Sequence, residues 1–244
     1  MTDSARPGLR AALLRPETKY QYVRRLFATI ADRYDLITVL LSYGQDRRWK
    51  ERLTRLSGAT ERTRALDLAC GTGDIAFSLA ARGAKVIGID ITLRMLQLAA
   101  SKVQRPVENA PRFIAADMMA LPIASGCMDL VTTGYGIRNV PEIAPALAEI
   151  ARVLRPDGVF LSLDFNRPSN PFLRAVYLGY LTVVGSLLGF VLHRDPDTYR
   201  YIPESIRSYP GARAISDMAR AHGFRTCAYM PVLGGLMAIH YGRK

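Results

Sequence analysis

Residues 65–74, ALDLACGTGD, constrain the fold more than any other stretch of the chain. Strand-compatible residues run into Cys70-Gly71-Thr72-Gly73-Asp74, and Ile75, Phe77, Leu79 and Ala80 then follow a helical pattern. This order predicts a strand, a glycine turn and a helix. Glycine suits the turn because a ligand can approach bare backbone there and because positive φ costs glycine little. The helix N-terminus beyond it offers free N–H groups.

A Gly-x-Gly turn after a strand occurs in many α/β proteins, so the next element matters. Residues 85–90, KVIGID, read as a second buried strand ending on Asp90. That is where a nucleoside-binding α/β fold puts the carboxylate that accepts from both ribose hydroxyls. Ala76 stands where a dinucleotide fingerprint has its third glycine. The pattern points away from a pyrophosphate-bearing cofactor and towards a nucleoside without one, such as S-adenosyl-L-methionine.

The rest of the chain alternates strands and helices. Residues 1–16 read as a mobile tail, and residues 17–63 as a helical cap with Tyr20, Val23, Phe27, Ile30 and Ala31 on one stripe. Within the cap, residues 33–53 mix aromatic, aliphatic and basic side chains. A helix over 93–103 precedes a third strand, 112–116, which ends at Asp117; Asp117 can take an adenine amine while Met118 lies against the ring. A fourth strand, 129–133, runs into Gly134-Tyr135-Gly136-Ile137-Arg138-Asn139-Val140, which is rich in polar groups for a plain turn. A helix over 141–154, a turn at Pro156-Asp157-Gly158 and a fifth strand over 159–165 follow. Such spacing implies a doubly wound, mostly parallel sheet with its site at the strands' carboxyl ends.

The alternation breaks over residues 171–210. Residues 175–192 carry no formal charge and could span a bilayer by length, but three glycines and several polar residues favour a substrate lid, helical in parts, that touches a bilayer. A helix over 211–222, stopped by Gly223, and strands near 224–230 and 236–241 complete a single domain over 17–244. His240 in the last strand reads as a packed histidine.

The 33 basic and 21 acidic residues leave a net charge of +12, and residues 47–64 hold seven basic side chains against two acids. This excess fits a membrane surface, a nucleic acid or a solvated helix face. Cys70, Cys127 and Cys227 are scattered as reduced core cysteines of a cytosolic protein would be, and His193, His222 and His240 have no metal-ligand spacing, so no metal site is expected. The N-terminus has arginines without an apolar h-region, so export is not expected.

Five segments carry a resemblance: YDLITVLLSYGQDRRWK (34–50), GYGIRNV (134–140), RVLRPDG (152–158), DPDTYRYIPESIR (195–207) and LGGLMAIHYGRK (233–244). Together they resemble the class I S-adenosylmethionine-dependent C-methyltransferases of ubiquinone and menaquinone synthesis, over residues 22–244. The resemblance implies a Rossmann-like seven-stranded sheet with an antiparallel last strand, a nucleoside cofactor over the first two strands, and a polyprenylated quinol substrate. Its cofactor contacts fall on Gly71, Thr72, Gly73, Asp90, Ile91, Asp117, Met118 and Gly134, and its substrate contacts on Tyr34, Tyr177, Tyr180, Tyr199, Arg200 and Tyr201. The chain departs from the family's pattern at several positions. Asp117 and Gly134 replace a frequent asparagine and serine, and Asp46 stands where the family has histidine. Residues 177–186, YLGYLTVVGS, keep two tyrosines but lose an aspartate and a proline.

C-methylation of a quinol needs a base to take a hydroxyl proton and a group to hold the phenolate. Arg138 suits the second role because its charge is permanent and its donors forked. Asn139 can orient the other oxygen and Tyr135 can stack on the ring; Asp46, Asp164, Glu204 or an Arg138-held water can act as the base. The acceptor is expected to be demethylmenaquinol or a polyprenyl methoxybenzoquinol. O- or N-methylation of a secondary metabolite and a non-catalytic role in a quinone-synthesis complex are the alternatives, and the intact Thr72, Asp90, Arg138 and Asn139 speak against the latter. No nucleic-acid recognition motif follows the fourth strand. The expectation is a cytoplasmic protein in peripheral contact with the inner face of the cell membrane, with a homo-oligomer compatible.

Overall fold

The structure is a computed structural model that describes Leu9, Leu13 and residues 15–103, 109–168 and 170–244. Strands β1 (Arg64–Leu68), β2 (Lys85–Asp90), β3 (Arg112–Ala115), β4 (Met128–Gly134), β5 (Leu154–Phe165), β6 (Thr226–Val232) and β7 (Met237–Arg243) form one sheet in the order β3-β2-β1-β4-β5-β7-β6. The strands from β1 to β5 pair in parallel, and β7 runs antiparallel between β5 and β6. This is the Rossmann-like topology the resemblance implied.

Side chains alternate across the central strands with the period of two that a pleated strand imposes. Leu66, Val131 and Phe160 face one hydrophobic cluster with Leu147 and Ile150 of α6 (Ile143–Val153) and Ile215 of α9 (Ala212–Ala221). Their neighbours Ala65, Leu130 and Leu161 face another, with Leu53 of α3 (Asp46–Leu56) and Ile75 and Leu79 of α4 (Asp74–Ala80). Many of these residues are fully buried, and truncating one such leucine costs about 2–5 kcal/mol. The chain winds outward through β1, β2, α5 (Leu93–Ser101) and β3, then returns to place β4 against the other side of β1. The crevice at this reversal is where the cavities lie.

Outside the sheet, α1 (Pro16–Ile30), a 3-10 turn (Ala31–Arg33) and α2 (Tyr34–Leu41) make the cap. Val23, Leu26 and Ile30 of α1 and Ile37 of α2 pack with Tyr199 and Tyr201 of α8 (Asp197–Ser208). The tail expected over 1–16 lies mostly outside the described residues. Leu9 and Leu13, which are described, are half-buried against this cluster.

Residues 171–193 differ from the partly helical lid expected from sequence. They form one helix, α7 (Pro171–His193), whose first turn is capped by Asn170 Oδ1 accepting from the Phe172 and Leu173 amides. Its glycines permit a close helix crossing rather than breaking the helix. A Cβ on Gly189 would lie 2.5 Å from the Asp195 carbonyl oxygen, and one on Gly185 3.3 Å from Tyr199. The turn expected at residues 156–158 is instead part of β5, with Asp157 at φ 63° and a register shift opposite Met128 and Leu130.

Candidate active site

The turn after β1 carries positive φ at Ala69, Gly71 and Gly73. A Cβ on Gly73 would come within 2.9 Å of the Phe77 ring, so this position needs glycine both for its dihedral and for its neighbour. Asp90 at the end of β2 ties the turn down, accepting from the Gly71 amide at 2.9 Å and the Thr92 amide at 2.8 Å. Burial pushes its carboxyl upward, while these amide donors pull it back. A cavity of about 730 Å³ opens beside it, lined by Gly71, Asp90, Ile91, Asp117, Met118 and Gly134 and bounded by α1. At Gly134 a Cβ would stand 2.8 Å from Ile75 Cδ1.

A smaller recess of about 310 Å³ continues from Gly71 past Thr72, Lys50, Asp67 and Asp74. Thr72 Oγ1 donates to Asp35 at 2.6 Å, and Lys50 bridges Asp46 at 2.7 Å and Asp74 at 2.9 Å. Asp67 accepts from Thr132 Oγ1 on one oxygen at 2.8 Å; its other oxygen is buried without a hydrogen-bond partner among the described residues. Burial raises this carboxyl to about 7. An acid with a buried, unbonded oxygen in a recess that opens off the first cavity suits a ligand with a cationic end, and S-adenosylmethionine, with its ammonium and sulfonium, fits these residues.

A second cavity, about 790 Å³, lies under the cap, and its wall shares Phe27, Tyr34, Tyr135 and Asn139 with the first. Trp49, Phe165, Tyr177, Tyr199 and Tyr201 make much of the remainder, and Arg138 is the one charged residue among its described lining. Asp164 holds Arg138 from behind, accepting from its amide at 3.0 Å and from Nε at 3.4 Å. Nη1 donates to Ser205 Oγ, and the guanidinium lies 4.8 Å from the Phe165 ring centre and 5.8 Å from that of Tyr201. Asn139 is fixed at both ends: its Nδ2 donates to the Tyr135 carbonyl at 2.8 Å and its Oδ1 accepts from Tyr201 at 2.9 Å. The Tyr135 phenol donates to Asp46 Oδ1 at 2.6 Å. Burial first, and the Asp46 charge second, push that phenol well above the ordinary tyrosine range.

Residues 15–244 match the ubiE/COQ5 methyltransferase family. The chain belongs to this family. It is 40% identical over 222 residues to a demethylmenaquinone methyltransferase of Thermus thermophilus, covering 90% of this chain and all (100%) of the relative. With a ubiquinone/menaquinone biosynthesis C-methyltransferase of Syntrophotalea carbinolica it shares 38% identity over 91% of this chain and 94% of the relative. Solved methyltransferases share the fold at low identity. One is a possible histamine N-methyltransferase of Thermotoga maritima, with a TM-score of 0.64 at 15% identity over 91% of this chain and 99% of that one. Another, from Methanococcus maripaludis, has a TM-score of 0.63 at 18% identity over 89% and 93%. The protein is a class I methyltransferase whose cofactor is S-adenosylmethionine.

Against this family background the structure sorts the residues singled out in the sequence. Gly71, Asp90, Ile91, Asp117, Met118 and Gly134 line the first cavity; Thr72 lines the small recess, and Gly73 shapes the turn without lining any of the three. Tyr34, Tyr135, Arg138, Asn139, Tyr177, Tyr199 and Tyr201 meet in the second. Besides Gly73, the candidates Asp46, Asp164, Glu204, Tyr180 and Arg200 lie outside these walls, and Glu204 pairs with Arg207. Asp46 is buried behind Tyr135, and Asp164, fully buried, spends its oxygens on the Arg138 and Phe165 amides and on Arg138 Nε. Tyr180 stacks on Tyr43 with centroids 5.4 Å apart, and exposed Arg200 pairs with Asp197 at 2.7 Å along the outside of α8. Asp67 and Lys50 were not anticipated as site residues. The signal for Asp67 is an acid inside an apolar strand; Lys50 has Asp46 four residues before it on α3, but its other partner, Asp74, comes from the start of α4.

Proposed function

We propose that the methyl acceptor is a ring carbon of a polyprenylated quinol, demethylmenaquinol or a polyprenyl methoxybenzoquinol. Family membership already assigns the chain S-adenosylmethionine-dependent C-methylation in quinone biosynthesis. The observation that carries the acceptor is the pair of cavities with a common wall, the second apolar and aromatic with Arg138 as the one charged residue among its described lining. An apolar wall suits a lipid-tailed ring, and a lone guanidinium suits the oxyanion of that ring.

When bound, the cofactor supplies an electrophilic methyl group. Asp90 would hold the ribose hydroxyls, Asp117 and Met118 the adenine, Gly71, Thr72, Ile91 and Gly134 the close backbone contacts, and the free oxygen of Asp67 the ammonium. On the acceptor side Arg138 stabilises the phenolate, held in place by Asp164 and by the Phe165 and Tyr201 rings. Asn139, fixed by Tyr201 and the Tyr135 carbonyl, orients the second ring oxygen.

The proton leaves through Tyr135. Its phenol is too weak an acid to be ionised and so is no base by itself, but it can take the quinol proton while passing its own to Asp46, 2.6 Å away. Asp164 positions Arg138 and is not the base. Phe27 and Tyr34, common to both cavities, exclude water from the transfer path, and Tyr177, Tyr199 and Tyr201 contact the ring or its tail. A lipid-tailed acceptor brings the protein into peripheral contact with a membrane.

Incubation with label-carrying S-adenosylmethionine and each reduced acceptor tests this reading. Label on a ring carbon, lost in Arg138→Ala with cofactor affinity intact, supports it. Label on oxygen, or cofactor binding without transfer to either ring, overturns it.

A further inference from the structure

The helix α7 buries one side and exposes another that is also apolar. Tyr177, Leu178, Leu181, Gly185 and Gly189 are buried, with Gly185 and Gly189 set against α8 and the segment just before it. On the opposite side Phe172, Val176, Val183, Leu187 and Phe190 are all exposed. At about 100° per residue they fall within roughly 60° of one another, a single stripe along the helix. Beside it α2 exposes Leu36, Val39 and Leu40, and Tyr43, stacked on Tyr180, joins the two helices. Monomeric proteins rarely leave so continuous an apolar surface in water. The other side of α7 packs on α8, so its apolar exposure is confined to one side, which suits a helix lying in an interface.

Two further observations say what covers the surface. The mouth of the second cavity opens onto it: Tyr43 (61% exposed) and Leu233 (40% exposed) both line that cavity. Next to Leu233, the same turn's Gly234 and Gly235 line an open pocket of about 1120 Å³ with Arg167, Arg174 and Arg213 and no carboxylate among its described lining. Near the other end of α7 stand exposed Arg194 and Arg33, the latter donating to the Leu192 carbonyl. Asp195, which accepts from the neutral Asp197 amide and Thr198, offsets part of that charge, and Asp197 pairs with Arg200, so the cationic excess is greater at the Arg167, Arg174 and Arg213 end. An apolar stripe bordered near the start of α7 by the Arg167, Arg174 and Arg213 cluster is complementary to acyl chains bordered by anionic headgroups. A second copy of the chain would bring the same cations rather than their complement.

We propose that the exposed sides of α7 and α2, with the Arg167, Arg174 and Arg213 pocket, form a docking surface for an anionic phospholipid monolayer. The helix α7 lies in the plane of the interface, the arginines take lipid phosphates, and the second cavity opens straight into the hydrocarbon. A tailed acceptor then enters without crossing water. The entry route rests on the quinol reading above; the docking itself does not.

Flotation with phosphatidylglycerol-containing vesicles, and with phosphatidylcholine vesicles as the neutral control, tests the surface. The wild-type chain should float with the anionic vesicles and lose binding as salt is raised. Arg167→Glu/Arg174→Glu/Arg213→Glu should weaken binding by roughly 100-fold or more, at about fivefold for each arginine lost. Leu187→Glu/Phe190→Glu should weaken it at least about tenfold. Both variants should keep the wild-type melting temperature within a few degrees and methylate a tailless quinol in solution at the wild-type rate. Absence of flotation by wild type, or equal flotation of the variants, overturns the proposal. So does a wild-type dimer that Leu187→Glu/Phe190→Glu converts to monomer, since the surface would then belong to a second copy. Flotation without methylation of any quinol would overturn the proposed function and leave the docking surface standing.

Discussion

The two cavities share four side chains and are otherwise built from different materials. The cofactor cavity is founded on the ends of β1, β2 and β4, whose parallel register holds Gly71, Asp90 and Gly134, and is closed by Tyr20, Val23, Arg24 and Phe27 of α1. The acceptor cavity is made of large side chains from α1, α2, α7 and α8, elements far apart in sequence. The cap is tied to the sheet by half-exposed pairs such as Arg94 with Asp32 and Lys102 with Asp35, each worth about 0–1 kcal/mol. The cofactor is met by strand ends that the sheet fixes, whereas the acceptor is met by side chains that separate helices bring together. Substitutions should therefore separate cleanly into those that affect one ligand and those that affect the other.

The largest effect is expected at Arg138, on the acceptor side. Arg138→Ala should lower kcat by about 10²–10³-fold with cofactor affinity unchanged by calorimetry. It should also destabilise the fold by about 3–5 kcal/mol, because Asp164 is left charged and unpaired in the core. Adding Asp164→Asn should restore much of the melting temperature and none of the rate. Tyr135 stands in both walls and tests whether they are coupled: Tyr135→Phe should cost about 100-fold in kcat, and raising the pH, which ionises the acceptor without help from the protein, should recover part of the loss. A rate equal to that of the wild-type protein would remove Tyr135 from the proton route.

On the cofactor side, Asp90→Ala should weaken cofactor binding by about 10–100-fold and leave acceptor binding alone, the converse of Arg138→Ala. Asp67 should show a cost in stability for its place in the recess. Its folded value of about 7 lies above an unfolded value of ~3.9, so the folded state keeps a proton that the unfolded state has lost between them. Its contribution is complete below pH ~3.9 and disappears as pH rises through about 7, at about 1.4 kcal/mol per unit in between. Asp67→Asn should flatten that slope in melts of the cofactor-free protein and weaken cofactor binding. The smallest effect is expected at Arg200, outside both walls, where alanine should change stability by no more than about 0.5 kcal/mol and activity about twofold at most.

The cofactor cavity was the more legible of the two. The motif of residues 65–74 and the terminal acid of β2 are local signals, and the structure puts Gly71 and Asp90 in hydrogen-bond contact. Asp117, Met118 and Gly134 follow from the rule that parallel strands point their carboxyl ends at one crevice. Along the acceptor side the sequence named chemistry but not partners. Arg138 and Asp164 both looked catalytic, and only their mutual pairing turns one of them into the support of the other. Arg200 and Tyr201 are adjacent in one motif, yet a helix turns adjacent side chains about 100° apart, so one reaches the cavity and the other the solvent. In α7 the glycines read as interruptions because composition does not say whether another backbone will come within contact distance.

Backbone geometry, side-chain period and the order of strands and helices are properties of short stretches, and the sequence alone determined them: the glycine turn, the doubly wound sheet and the acids at its strand ends. Burial and partnership depend on which distant stretches meet. Only the tertiary structure could decide that Asp67 keeps an unpaired oxygen, that Tyr135 leans on Asp46, and that α7 turns one apolar side to α8 and the other outward. The reason is physical: a hydrogen bond or a contact acts over a few ångströms, and residues that close can lie anywhere along the chain.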